Sequence, residues 1–281
     1  MRELSKELKN LELAIFDLDG VIYRGNSLIP RSDEVIKELK ENSVKIVYNT
    51  NNSTATRQMY VDKLKNFGIK SEISDFYTSA SITAGEISKI KQSATVFVIG
   101  EKGLREELKL RGHTIINEET EANRVDFVIV GLDSKFNYEK LAFAQNCILK
   151  RNAQFYATNA DSTLPASGGL LPGAGVMVNA VQICTDQKPL QIFGKPNPLG
   201  IYAILKDTNT HPNKAVIFGD RLNTDILAGN RAKINTVLVL TGVTEEVDVR
   251  ELREKLMHLP EIDKDLNPDL IIESLEDIFE K

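Results

Sequence analysis

Residues 11–21 read LELAIFDLDGV, an apolar run that ends in two carboxylates and a glycine. Side chains alternate along a strand, so Asp17 and Asp19 can face the same side where the chain leaves a sheet, with Leu18 turned away. Two acids at one site can bind a hard divalent cation and can divide two chemical roles. The stretch therefore predicts a buried strand that carries acids to a site, and other residues must supply the remaining ligands and the positive charge.

Short runs rich in Val, Ile and Phe alternate with segments of helical periodicity along the 281-residue chain. This alternation is typical of an α/β fold with a doubly wound parallel sheet covered by helices on both faces. The expected strands are Leu13–Phe16, Val44–Tyr48, Thr95–Ile99, Phe127–Val130, Gln154–Ala157, Leu190–Phe193, Ala215–Phe218, Thr236–Leu240 and Leu270–Ile272. Helices are expected after Pro30, over Pro198–Lys206 and over Thr224–Lys233.

The middle of the chain contains strands and helices of its own, which indicates an inserted, smaller α/β domain. We expect this domain to span residues 81–188, between polar stretches at 78–81 and 185–189 that suit linkers. Residues 1–80 and 189–281 would then form the two parts of the core domain.

Composition excludes several classes of protein. The net charge of −5 comes without any basic stripe, which argues against nucleic acid as a partner. The sequence has no long uncharged apolar run of the kind that predicts a membrane span, and residues 1–10 lack the apolar segment of a signal peptide. A cytoplasmic location is therefore the expectation. We expect Cys147 and Cys184 to be buried structural thiols. The three histidines, which share no metal-ligand spacing, are expected at the surface: His113, His211 and His258.

Four expected core strands end in polar clusters. Asp17 and Asp19 follow the first of these strands, residues 49–53 (NTNNS) the second, residues 194–196 (GKP) the third and residues 219–225 (GDRLNTD) the fourth. Any one cluster could be a turn or a helix cap. The carboxyl ends of parallel strands share one edge of a sheet, however, so all four clusters would meet there, where α/β proteins bind ligands.

The ordered set of motifs resembles the haloacid dehalogenase superfamily of phosphotransferases. With residues 157–161 (ATNAD) and 172–175 (PGAG) included, it is similar to the NagD and 4-nitrophenylphosphatase branch. That resemblance implies a phosphatase with a large C2-type cap. Only 33 positions separate Asp17 from Thr50, whereas 145 separate Thr50 from Lys195, so the cap must lie in the second interval.

The resemblance also implies a role for each motif residue. Asp17 would attack phosphorus and form an aspartyl-phosphate, and Asp19 would act first as general acid and then as general base. Thr50 would hold phosphate oxygens with Asn51 as a second donor, and Lys195 would neutralise the phosphoryl group and the crowded carboxylates. The implied magnesium ligands are Asp17, the backbone carbonyl of Asp19, Asp220 and, through water or indirectly, Asp225.

Two regions leave alternatives open. Asn223 stands where many relatives have an acid; we place it among the substrate-binding residues, with a cap for the helix near Thr224 as the alternative. In the inserted domain, a polar, glycine-rich region suits either a substrate-facing loop or ordinary turns and a helix N-terminus: Asn159, Asp161, Gly168, Gly169 and residues 172–175 (PGAG).

The leading hypothesis is a magnesium-dependent phosphatase that acts on small phosphorylated metabolites. The alternatives are a phosphomutase and, from a different class, a non-catalytic sensor of phosphorylated metabolites on the same fold. The sequence names no substrate, and it leaves open whether the chain forms a homo-oligomer.

Overall fold

The computed structural model describes residues 2–116, 124–166, 169–258 and 264–280; Gly168 and the side chain of His258 lie outside the described part. In chain order the strands are β1 (Leu13–Phe16), β2 (Tyr23–Arg24), β3 (Ser27–Leu28), β4 (Lys45–Thr50), β5 (Phe76–Thr78), β6 (Thr95–Ile99), β7 (Thr114–Ile116), β8 (Phe127–Val130), β9 (Gln154–Ala157), β10 (Thr163–Ala166), β11 (Gly169–Pro172), β12 (Gln191–Ile192), β13 (Ala215–Gly219), β14 (Asn235–Val239) and β15 (Leu270–Ile272). The α-helices are α1 (Ser32–Glu41), α2 (Arg57–Asn66), α3 (Ser79–Ile90), α4 (Lys102–Leu110), α5 (Tyr138–Arg151), α6 (Ala174–Thr185), α7 (Leu199–Thr208), α8 (Leu227–Ala232) and α9 (Glu246–His258). Among the described residues, no helix is both long and apolar enough to cross a membrane.

The chain divides into two compact units. The first consists of Met1–Thr50, Val61–Tyr77 and Lys195–Lys281, and the second of Asn51–Tyr60 and Thr78–Gly194.

A six-stranded sheet forms the centre of the first unit, in the order β15-β14-β13-β1-β4-β5. Strand β1 pairs in parallel with β13 on one side and β4 on the other, and β14 pairs in parallel with β13 and β15. The predicted α/β fold with a parallel sheet is therefore confirmed. Because β13, β1 and β4 are neighbours, the residues that follow these three strands emerge side by side at one edge.

Both faces of this sheet are apolar, as expected for parallel strands between layers of helices. On one face Phe16 stacks on Phe218 with ring centroids 4.7 Å apart, and Tyr48 stacks on Phe76 at 4.9 Å. On the other face Ile15, at 0% exposure, belongs to a cluster with residues of α7 and α8. Each fully buried side chain of this size contributes about 1.5–3 kcal/mol to folding. This packing fixes the strands from which the site residues extend.

The second unit has its own parallel sheet, in the order β12-β9-β8-β6-β7. Its core contains Phe97, Phe143 and Cys147, with the Phe97 and Phe143 rings edge to face at 4.5 Å. The expectation that Leu190–Phe193 is a strand of the core sheet is wrong. The strand found there, β12 (Gln191–Ile192), pairs with β9 at the edge of this second sheet, and the N–H groups of Leu190 and Phe193 also donate to β9.

Two expectations about individual side chains also need correction. His113 is 4% exposed rather than at the surface: its Nδ1 accepts the N–H of Ala94 at 3.1 Å, and its Nε2 lies 2.9 Å from Oγ of Ser88. Burial lowers the pKa of this imidazole. Cys147 is buried as predicted, whereas Cys184 is partly exposed. Neither cysteine forms a disulfide.

Candidate active site

Three of the predicted clusters follow neighbouring strands of the first unit. Asp17 follows β1 directly and donates its main-chain N–H to the carbonyl of Phe218 in β13, at 2.9 Å. Thr50 is the last residue of β4, and Asp220 follows the last residue of β13. The parallel register aligns Phe16 with its partners in both neighbouring strands, so the chain ends of β13, β1 and β4 are level. Here the edge rule for parallel sheets places the predicted residues correctly.

Lys195 lies at the centre of the site although it does not follow a strand of this sheet. Its ammonium group donates to Oδ1 of Asp17 at 2.7 Å, to Oδ1 of Asp225 at 2.6 Å and to the carbonyl of Asn49 at 2.6 Å. The residue is 4% exposed. Burial opposes its charge, but Asp17 and Asp225 outweigh that effect and raise its pKa, which favours the charged ammonium. Lys195 therefore holds two carboxylates in one fixed arrangement.

Three carboxylates form a compact acidic cluster. Asp17, Asp220 and Asp225 each offer an oxygen within 4.8 Å of the others. Asp220 and Asp225 are 2% and 1% exposed, whereas the side chain of Asp17 keeps 13% exposure. Burial raises the pKa of Asp17 even against the nearby Lys195, and it raises the pKa of Asp220 to about 7 with the added effect of the Asp225 charge. The one ammonium group of Lys195 therefore does not balance the charge of three carboxylates.

The donor atoms of this cluster fit a hard divalent cation. Carboxylate oxygens are the ligands that Mg²⁺ prefers in proteins, and a cation would also relieve the repulsion between the acids. Asp225 is held from the other side, because its Oδ2 accepts the N–H of Arg221 and the hydroxyl of Thr224, both at 3.2 Å. Asp220 Oδ2 accepts the N–H of Val243 at 2.8 Å.

Asp19 lies outside this cluster of three carboxylates and is held by the β2–β3 hairpin. The main chain of Asp19 forms an isolated β-bridge with Tyr23, and the main-chain N–H of Gly25 donates to the Asp19 carboxylate. Burial raises its pKa, while the charge of Lys63 acts in the opposite direction. The Lys63 ammonium sits 3.4 Å from the centre of the Tyr23 ring. A carboxyl with a raised pKa is suited to carry a proton.

Three glycines pack against the acids, and one of them, Gly242, was not singled out from the sequence. A Cβ at Gly219 would overlap Asp225, and a Cβ at Gly242 would overlap Asp220. Gly20 adopts φ +87°, and a Cβ there would lie 2.8 Å from Cγ of Asp220. The sequence carries one signal for Gly242, a Thr-Gly pair just after the apolar run of β14. The residues around this pair do not indicate which side chain Gly242 contacts.

The remaining predicted residues have different surroundings. Thr50 is 4% exposed at the end of β4. In the second unit, Asn51 donates its amide to both carboxylate oxygens of Asp161, at 3.1 and 3.2 Å. Asn223 is exposed within the π-helical turn Leu222–Ile226. Its alternative role as a helix cap is wrong, because the residue at the cap position is Arg221, which makes no side-chain cap bond.

Comparisons with known proteins give independent information on ancestry. A family model described as haloacid dehalogenase-like hydrolase matches residues 14–114, and a second, described as HAD-hydrolase-like, matches residues 192–278. The chain is 35% identical over 252 residues to the 5'-nucleotidase YutF of Bacillus subtilis, covering 89% of this chain and 95% of that protein. It is 36% identical over 260 residues to an acid sugar phosphatase of Staphylococcus haemolyticus, with 92% and 95% covered.

Solved structures agree. The p-nitrophenyl phosphatase of Archaeoglobus fulgidus superposes with a TM-score of 0.82 at 33% identity, covering 95% of this chain and 97% of that one. A glycerol phosphate phosphatase of Mycobacterium tuberculosis, solved in complex with magnesium, gives a TM-score of 0.86 at 25% identity, with 99% and 79% covered. With the matches spanning nearly its whole length, the chain belongs to the haloacid dehalogenase-like hydrolases, in the branch of the NagD-like and 4-nitrophenyl phosphatases.

Proposed function

We propose that this protein is a magnesium-dependent phosphatase that hydrolyses phosphomonoesters of small metabolites through an aspartyl-phosphate on Asp17. One observation carries the proposal: the ammonium of Lys195 holds Asp17 and Asp225 beside Asp220, at the level strand ends of a parallel sheet. The names of the relatives, which are phosphatases and a 5'-nucleotidase, support the reaction class.

Asp17 is the nucleophile in this proposal. Lys195 orients its carboxylate, and the side chain of Asp17, at 13% exposure, is the most exposed of the three acids. One carboxylate oxygen attacks phosphorus, and the bond from phosphorus to the ester oxygen breaks. Thr50 binds the non-bridging oxygens with its hydroxyl, and Asn51 and Asn223 are proposed to add contacts to the substrate.

Asp19 moves the protons. It first gives a proton to the departing alkoxide, then takes one from the water that attacks the phosphorus, and the Asp17–phosphorus link breaks to release phosphate. The burial that raises its pKa and the hairpin that fixes its main chain both suit this double role. Mg²⁺ held by Asp17, Asp220, Asp225 and the carbonyl of Asp19 would supply charge neutralisation for the phosphoryl oxygens.

The assignment of residues 81–188 as a cap that selects the leaving group belongs to the same proposal, as does a cytoplasmic location. The separate parallel sheet and core of the second unit support an inserted domain. Substrate choice would reside in that domain, because the residues proposed to handle phosphate and metal, among them Asp17, Thr50 and Lys195, belong to the first unit.

Release of p-nitrophenol from p-nitrophenyl phosphate, with Mg²⁺ and with a chelator, tests the proposal. We expect metal-dependent turnover by the wild-type protein, loss of at least about a thousandfold in Asp17→Asn, and wild-type rates in Glu41→Gln, which removes an exposed acid of the same unit. Acid-quenched enzyme should carry a phosphoryl group on the peptide that contains Asp17. Turnover that persists in Asp17→Asn would refute the assignment, and tight binding of phosphate esters without turnover would indicate a sensor.

A further inference from the structure

A buried polar cluster in the second unit centres on Asn159. The amide of Asn159 donates to the main-chain carbonyl of Asn51 at 2.8 Å and to the hydroxyl of Thr158 at 3.2 Å. Its Oδ1 accepts the N–H of Asp161 at 3.1 Å. The carboxylate of Asp161 in turn accepts the amide of Asn51, and the carbonyl of Asn51 accepts a second bond, from Ser79 Oγ at 2.6 Å. We call these five residues the Asn159 cluster.

The Asn159 cluster is almost closed to solvent. Asn159 is 3% exposed, Thr158 and Ser79 are fully buried, and Asn51 is 8% exposed. A buried polar group that loses its hydrogen-bond partner destabilises the fold. Each bond of the cluster therefore limits how far the bonded residues can move. Asn159 therefore does not behave as a residue of an open substrate-facing loop, one of the two roles that its sequence allowed. Its bonds fix the main chain at Asn51.

Both ends of this cluster are covalently next to residues of the proposed machinery. Asn51 directly follows Thr50, the proposed phosphate-binding residue at the end of β4. Gly194 directly precedes Lys195 and packs on the same cluster: a Cβ at Gly194 would lie 2.6 Å from Oδ1 of Asn51 and 2.6 Å from the carbonyl of Thr158. The N–H of Gly194 also donates to that carbonyl at 2.7 Å.

We propose that Asn159 is a positioning residue for phosphate binding, which acts by fixing Asn51 and, through Thr158, Gly194, and so sets the places of Thr50 and Lys195. Asp161 assists by holding the side chain of Asn51. The proposal rests on the proposed function. It predicts that substitutions in the Asn159 cluster lower the affinity of the protein for phosphate and leave its affinity for Mg²⁺ unchanged. None of the magnesium ligands belongs to this cluster.

The main test is the inhibition constant of inorganic phosphate against hydrolysis of p-nitrophenyl phosphate. Asn159→Asp keeps the size and the Oδ1 acceptor but turns the donating amide into an oxygen that faces the carbonyl of Asn51. We expect the inhibition constant of phosphate and the KM of the substrate to rise about tenfold or more. The Mg²⁺ concentration that gives half-maximal activity should change by less than about twofold, because the cluster bears no magnesium ligand.

A matched control separates positioning from a loss of stability. Asn137 caps α5 by accepting the N–H of Lys140 at 2.9 Å, in the same unit. Asn137→Ala should lower the thermal midpoint and leave the inhibition constant of phosphate unchanged. If Asn159→Asp does not fold, two variants of Asp161 serve instead. Asp161→Asn keeps an acceptor for Asn51, so its inhibition constant of phosphate should stay within about threefold of wild type. Asp161→Ala removes the acceptor, and its inhibition constant should rise by more than that.

Two results would overturn the proposal: a wild-type inhibition constant in folded Asn159→Asp, or equal effects of Asp161→Asn and Asp161→Ala. If the wild-type protein hydrolyses no ester, the proposed function has failed, and protection against heat by inorganic phosphate with Mg²⁺ then tests the inference separately. Phosphate should raise the thermal midpoint of the wild type more than that of Asn159→Asp. Equal protection, or none for the wild type, would refute the positioning role.

Discussion

Gly242 packs directly against the carboxylate of Asp220, so one added methyl group tests whether the place of that carboxylate matters. A Cβ on Gly242 would overlap Cβ, Cγ and Oδ2 of Asp220, all well inside the 3.0 Å that real Cβ atoms keep. Gly242 does not adopt the left-handed φ that disfavours alanine, so the effect of Gly242→Ala is steric. Ordinary contact begins at 3.4 Å, and the carboxylate must therefore move by about 1 Å or more.

A displacement of that size would remove one of the proposed magnesium ligands. Mg²⁺ requires oxygen ligands at about 2.0–2.1 Å with little tolerance, and the same movement breaks the bond from Val243 N–H to Asp220. We expect the Mg²⁺ concentration for half-maximal activity of Gly242→Ala to rise about 10- to 100-fold, the range seen when the support of a metal ligand is lost. The rate at saturating Mg²⁺ should recover in part.

The assay is a Mg²⁺ titration of p-nitrophenyl phosphate hydrolysis. Gly85→Ala is the matched control, because a Cβ at Gly85 in α3 meets only Arg111 Nη2, at 3.9 Å. It should leave the titration unchanged and add about 0.5–1 kcal/mol of stability. A wild-type Mg²⁺ titration in folded Gly242→Ala would refute the view that this packing holds Asp220 as a ligand.

Three further predictions concern buried groups. Lys195→Met leaves buried carboxylates without their cation and should lower the free energy of unfolding by about 3–5 kcal/mol in denaturant titrations, whereas the exposed substitution Lys37→Met should change it by less than about 1 kcal/mol. The pKa of His113 is lowered in the folded state, so the unfolded state takes up a proton first as pH falls below about 6.5, and protonation favours unfolding. The thermal midpoint should therefore drop more steeply between pH 7.5 and 5 in wild type than in His113→Asn. Parallel curves of the thermal midpoint against pH would contradict this. Burial raises the pKa of the Cys147 thiol to about 11, so in a thiol-reagent assay of the native protein Cys184 should react before Cys147, which should need unfolding; two equal rates would count against it.

The strand that carries Asp17 was predictable because its signal is local. Four consecutive apolar residues buried on both faces are typical of a central parallel strand, and β1 has the expected bounds. The edge rule then brought Thr50 and Asp220 level with Asp17 without any knowledge of side-chain contacts. Fold class and most of the acidic cluster follow from such patterns.

Lys195 shows where this reasoning ends. Its position at the site was predicted from a strand assigned to the wrong sheet: a short apolar run before Gly-Lys-Pro has the same composition in either sheet, and only the pairing of β12 with β9 decides between them. The burial of His113 is equally non-local, because the bond from Ala94 N–H depends on a neighbour 19 positions away. The packing of Gly242 on Asp220 joins residues 22 positions apart and leaves no periodic trace.

The pairing of Lys195 with two of the three clustered acids has a consequence for the order in which ligands bind. Lys195 balances only part of the negative charge of Asp17, Asp220 and Asp225, so under the proposed function phosphate esters should associate mainly with protein that already holds Mg²⁺. By thermodynamic reciprocity, a bound phosphate would then raise the affinity of the protein for Mg²⁺ by the same factor. The affinity of the protein for either ligand is therefore a joint property of the pair, and neither has a meaningful dissociation constant without the concentration of the other.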